Sequence, residues 1–162
     1  METGKSWRDI ALTILLATVV AGTLDITEAC LWWGITKGVT PERIFQSVAS
    51  GLLGKAAFKG GAQTAALGLA LHFAIMAVMV AVYVLASQTL RVLTGRPVVM
   101  GLAYGGATYV VMNYIVLPLS HVGPRGAFVL SSFINGLAAH LFLVGLTIAM
   151  IATSREKMTS TA

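Results

Sequence analysis

Four uninterrupted apolar runs, at about residues 10–35, 61–87, 98–119 and 126–153, constrain this chain more than any other feature. A helical residue rises about 1.5 Å and the hydrocarbon core of a bilayer is roughly 30 Å thick, so about 20 such residues span it. Backbone amides cannot go unsatisfied in lipid, and each run is therefore predicted to be a spanning helix. The expected fold is an all-α integral membrane protein, a bundle of four transmembrane helices. Composition closes off the soluble alternative: 57% of residues are hydrophobic and 10% charged, against roughly 25% charged in soluble domains. The eleven Lys and Arg give a net charge of +5, but they stand singly at the ends of apolar runs. That places them at lipid headgroups rather than along a nucleic acid.

The connections differ in kind. In the first, residues 36–60, Thr40 is a suitable N-cap, Pro41 suits the first helical position and Glu42 complements the helix dipole. Ile44, Phe45, Val48, Leu52 and Ala56 then recur near helical spacing, with Arg43, Gln46, Ser47 and Ser50 mostly elsewhere. This predicts an amphipathic helix over about 41–55 lying in the membrane interface, closed near Gly51 and Gly54. The second connection, residues 88–97, carries Arg91 and Arg96; the third, residues 120–125, is a turn at Gly123-Pro124. The first apolar run continues past Trp32 and Trp33, too far for a removable leader, and is taken as a retained helix. The tail, residues 154–162, is expected to be polar and frayed, and residues 1–162 to form a single membrane domain. With the N-terminus inside, Lys5, Arg8, Arg91, Arg96, Arg155 and Lys157 face the cytoplasm, and Lys37, Arg43, Lys55, Lys59 and Arg125 face outward. Basic residues count most close to membrane ends, so both termini are placed inside.

Ionisable groups cost about 2.5 to 3.5 kcal/mol at the centre of a span, so they normally face the bundle interior. Asp25 and Glu28, at i and i+3, share a face with Ile14, Thr18, Ala21 and Trp32. His72 follows Ala65 and Gly68 at compatible spacing; Asn113 shares a stripe with Gly106 and Tyr109, and His140 with Ser132 and Gly136. Small residues on these stripes let backbones approach, as Gly101-x-x-x-Gly105 also would. With successive spans alternating in direction, Asp25, His72, Asn113 and His140 fall within about 7 Å of the midpoints and Glu28 about 8 Å away. One polar cluster of these five is expected, in the half of the membrane facing the first and third connections, with Tyr109, Ser132 and Asn135 as secondary members. At roughly 100° per residue Asn135 points about 140° from His140, so both cannot face one narrow site. Cys30, the only cysteine, is taken as a small core residue.

Two acids and two imidazoles at one depth suit handling or sensing of a proton or ion. The alternatives are an assembly role, in which glycine-rich faces pack against other membrane proteins or a second copy, and a redox role with His72 and His140 as axial haem ligands. No G-x-S-x-G, H-E-x-x-H, P-loop or dinucleotide fingerprint occurs. No catalytic residue, cofactor or metal is therefore assigned, and the expected partners are the bilayer and membrane proteins, not nucleic acid.

The stretches ASGLLGKAAFKGG, ALGLALHF, YVVMNYIVLPLS and INGLAAHLFLVGL resemble a group of small, uncharacterised four-span bacterial inner-membrane proteins, distantly similar to YagU-like proteins. The resemblance covers about residues 7–153. It implies a bacterial inner-membrane location and four helices, and it implies no particular activity or substrate.

Overall fold

The computed structural model describes residues 6–123 and 127–160, the last two by backbone alone. Helix α1 (Trp7–Lys37) begins where the Ser6 hydroxyl accepts from the Arg8 amide, with Asp9 in the first turn and Lys37 in the last, both matched to the dipole. It ends at Gly38, whose φ of 65° is left-handed and whose N–H returns to the Gly34 carbonyl. Helix α2 (Pro41–Leu53) is capped by the Thr40 hydroxyl, and a 3-10 segment (Gly54–Lys59) follows. Helix α3 (Gly61–Ser87) leads through a short helix α4 (Val92–Gly95) to α5 (Pro97–Leu119). Helix α6 is built of Leu130–Ala138, a wider-wound π segment at Ala139–Leu146, and Thr147–Ser160. Four helices, α1, α3, α5 and α6, are long and apolar enough to cross a membrane.

Several bounds differ from the sequence expectation. The first helix extends at both ends, since a serine cap and a glycine stop lie outside its apolar run. The fourth starts at Leu130, because Val129 is extended; Pro124, Arg125 and Gly126 lie outside the described residues. Nor does the polar tail fray at residue 154: α6 stays helical to Ser160. Its last turns are tied down, with Arg155 reaching Asp9 at 3.9 Å and the Thr153 hydroxyl donating to the Thr94 carbonyl at 3.5 Å. These contacts gather both described ends of the chain and the α3–α5 connection at one end of the bundle.

That end is where the packing is dense. Ala17 and Ala21 of α1, Val80 and Val84 of α3, and Val144, Ile148 and Ala149 of α6 form one buried cluster. Tyr83 closes it, donating to the Leu93 carbonyl at 2.9 Å and meeting Tyr104 of α5 edge-on at 5.0 Å. Tyr104 in turn donates to the Met79 carbonyl at 2.7 Å, so two ring hydroxyls satisfy backbone carbonyls between helices. On the other side of the bundle α5 lies against α6, where Gly101 and Gly105 face Gly145 with backbones almost touching.

Toward the opposite end the packing thins. The α5 stretch Met112–Val116 is wound as a π-helix, then Leu117–Leu119 follows, and neither contains a buried residue; nor does Leu130–Ala138 of α6. Pro118 cannot donate to the carbonyl four residues earlier, and a widened turn just before it is the usual accommodation. At this end the His121 amide donates to the Gly51 carbonyl at 3.0 Å, binding the third connection to the C-terminus of α2.

Candidate functional site

Helix α2 is clamped onto the first turns of α3. The Phe45 carbonyl and the Ala49 amide lie against Gly68, where any side chain would collide with backbone. Gln46 donates from Nε2 to the Gly61 carbonyl at 3.2 Å, and the Thr64 hydroxyl donates to the Ala57 carbonyl at 2.6 Å. Arg43 folds back over the 3-10 segment: its guanidinium lies 4.3 Å from the centre of the Phe58 ring, and Nη1 donates to the Phe58 carbonyl at 3.3 Å. So fixed, α2 forms the outer wall of a cavity whose other walls are the C-terminal half of α1 and the first turns of α3.

This cavity, about 440 Å³, is lined by Asp25 and Trp33 of α1, Arg43 and Ser47 of α2, Phe58, and His72 of α3, with aliphatic side chains between them. Its size lies within the range of small-ligand pockets, roughly 300 to 1,000 Å³. His72 Nε2 lies 2.9 Å from the Gly22 carbonyl. A carbonyl only accepts, so Nε2 carries the hydrogen and Nδ1 is left to accept or to take a second proton. Asp25 is half-buried, and among the described residues no hydrogen bond or ion pair engages its carboxylate.

The five residues expected to form one cluster are divided by the structure. Asp25 and His72 share the cavity. Glu28, although on the same helical face, lines a separate hollow of about 430 Å³ along the outside of α1, with Thr23, Thr27 and Trp32. Its Oε1 accepts from Asn135 Nδ2 of α6 at 2.8 Å. Asn113 donates to the carbonyl of Tyr109 in its own helix at 3.0 Å, and His140 Nδ1 lies 2.9 Å from the carbonyl of Gly136, also in its own helix. The Tyr109 ring meets His140 edge-on at 5.4 Å and Phe133 at 5.7 Å; Ser132 is half-buried in the same part of α6. His72 and His140 thus lie in different surroundings, one against α1 and the other against α5. Among the described residues no group of three or more His, Cys, Asp or Glu side chains is placed to hold a metal ion.

The Glu28–Asn135 bond joins residues 107 apart in sequence, and it is the direct polar link between α1 and the sparsely packed start of α6. Replacing Asn135 by leucine is expected to lower stability by about 1 to 3 kcal/mol, because the partly buried carboxyl loses its donor. Adding Glu28→Leu should recover part of that loss. Unfolding in graded detergent mixtures, followed by circular dichroism, measures both; an unchanged Asn135→Leu midpoint would show that the bond does no structural work.

Arg43 and Ser47 look from sequence like the solvated face of an amphipathic helix, and nothing in their spacing marks them as cavity groups. Only the fold, which lays α2 against Gly68, brings them opposite Asp25. No family model, no curated protein and no solved structure matches the chain, so the geometry stands on its own.

Proposed function

We propose that this is a multi-pass inner-membrane protein of bacterial type, with both termini in the cytoplasm, that takes up and releases a proton at Asp25 and His72. The observation that carries the proposal is that an unengaged carboxylate and an imidazole with one nitrogen uncommitted line a single cavity. A charge near the middle of a span is costly, so an acid kept there without a fixed partner favours exchange with a mobile one, and the lightest candidate is a proton. Arg43 of α2 is the other charged side chain on the cavity wall, and Phe58 is the contribution of the 3-10 segment. In this reading Glu28 is a structural acid, its donor already supplied by Asn135.

Infrared difference spectroscopy of the purified protein in lipid nanodiscs tests this directly. Stepping the pH should reveal a protonated-carboxyl band that disappears in Asp25→Asn and persists in Glu28→Gln. If the band is missing, or survives in Asp25→Asn, the proton-handling reading fails. A second reading, an assembly partner for other membrane proteins or a second copy, is favoured by the hollow along α1, which leaves Thr23 and Thr27 exposed on a helix built for lipid.

A further inference from the structure

We infer that the mouth of the α1–α2–α3 cavity is a binding site for an anionic phospholipid, with the phosphate on Arg43 and an acyl chain along the apolar wall. The inference rests on the membrane placement proposed above, but not on proton exchange at Asp25.

Two features of the site point to such a ligand. The first is charge. Residues 36–60 contain Lys37, Arg43, Lys55 and Lys59 against one acid, Glu42, and all four cations are exposed. Lys37 and Lys59 each stand within two residues of a cavity-lining position, Val39 and Phe58. Basic groups concentrated on an amphipathic segment beside spanning helices are the usual means of holding an anionic headgroup. The second is how Arg43 is held. A guanidinium has five N–H donors in a fixed fork; one nitrogen is committed to the Phe58 carbonyl and the plane rests on the Phe58 ring. The group is thereby oriented in advance, with donors remaining for a phosphate, the oxyanion its geometry matches best. Among the described residues no carboxylate pairs with it.

The walls separate a lipid from a free oxyanion. Beside Arg43, Asp25 and His72, the lining includes Ile26, Ala29, Val39, Ile44 and Val48. An inorganic phosphate gains nothing from these side chains, whereas an acyl chain buries its methylenes against them. Trp33, near the C-terminal end of α1, and Phe58, in the 3-10 segment, are the aromatic rings of the lining, the residue types that favour the membrane interface.

Trp33 lines the cavity and reports on its occupant. In the Trp7→Phe, Trp32→Phe background it is the sole tryptophan, since the chain has three. Reconstituted into phosphatidylcholine vesicles, its fluorescence should be quenched by brominated phosphatidylglycerol at a mole fraction roughly fivefold lower than by brominated phosphatidylcholine, the factor one basic side chain confers near an anionic surface. Arg43→Gln should abolish the preference, Arg43→Lys should retain part of it, and Arg96→Gln, at the far end of the bundle, should leave it unchanged. Circular dichroism checks that each variant keeps its helices. Equal quenching by the two lipids would overturn the site, whether a zwitterionic lipid or a second copy covers the mouth. A loss in Arg96→Gln as large as in Arg43→Gln would overturn it too, since general surface charge would then account for the preference. Failure of the protein to float with vesicles would reject the membrane placement underneath. Asp25→Asn should keep the lipid preference while losing the infrared band, so the two proposals stand or fall separately.

Discussion

Gly105→Ala is expected to disrupt the pairing of α5 with α6, while the same change one residue later is expected to be harmless. A Cβ at residue 105 would sit 2.7 Å from the Leu141 Cα and 2.8 Å from the His140 carbonyl carbon, and Gly145 presses from the same side, its own Cβ position 2.6 Å from the Gly105 Cα. All of these neighbours are backbone atoms, so no rotamer change can make room and the helices must separate. Overpacking of this kind typically costs about 1 to 3 kcal/mol. In the membrane placement proposed above the loss extends beyond the crossing, because helices that span a bilayer are held by close packing where no hydrophobic force between them remains. At Gly106 the nearest atom to a new Cβ is Leu141 Cδ2, at 3.7 Å, an ordinary contact. Gly106→Ala should therefore be neutral or stabilising by up to about 1 kcal/mol, since glycine is a poor helix residue. Detergent-induced unfolding of the two variants side by side measures the difference. Equal midpoints would mean that α5 and α6 are not held together by this backbone contact.

Gly68→Val should have a comparable effect at the other end of the molecule. There a Cβ would overlap the Phe45 carbonyl group and lie 3.1 Å from the Ala49 amide nitrogen, so α2 would be driven off α3. The expected result is a protein that keeps its four long helices and loses the cavity. The Asp25 infrared band should change and the anionic-lipid preference at Trp33 should vanish together, because α2 supplies Arg43 and the wall facing Asp25. Gly51→Ala is the control on α2 itself: its nearest neighbour would be Ser120 Cβ at 3.8 Å. Hydrogen exchange over residues 41–53 gives an independent readout, with faster exchange expected in Gly68→Val and not in Gly51→Ala. Unaltered exchange in Gly68→Val would show that α2 is anchored by something other than this contact.

The four long helices are legible in the sequence because hydropathy and length depend on neighbours within one segment. The Thr40–Pro41 start of α2 is legible for the same reason, since a hydroxyl and a fixed φ act locally. Gly101-x-x-x-Gly105 is also visible as a close-approach motif, although its partner Gly145 is not. What resisted was azimuth. Counting 100° per residue gives angles within one helix but not the direction in which that helix faces its neighbours, and α6 in addition departs from regular winding at Ala139–Leu146. Asn135, placed second behind His140 on that count, is the residue that reaches Glu28, while His140 turns to its own backbone. Asp25 and Glu28 show the same limit on a regular helix. A separation of 60° around the axis counts as one face in sequence, yet here it is enough to send two carboxylates to different hollows. Arg43 was hidden for another reason, since its place on the cavity wall depends on how α2 docks on α3.

The uneven packing along the bundle resembles a tuning fork. The handle is the end where Tyr83, Tyr104 and the glycine crossing lock helix to helix; the tines are the last turns of α5 and the first of α6, where nothing described is buried. With no buried side chain to displace, sideways movement of a tine costs less packing than the same movement in the handle, and the wider-wound stretch of α6 runs from its tine into the crossing at Gly145. Work done at the loose end, by a proton, a lipid or a neighbouring helix, would thus become a change of spacing there rather than a loss of the fold.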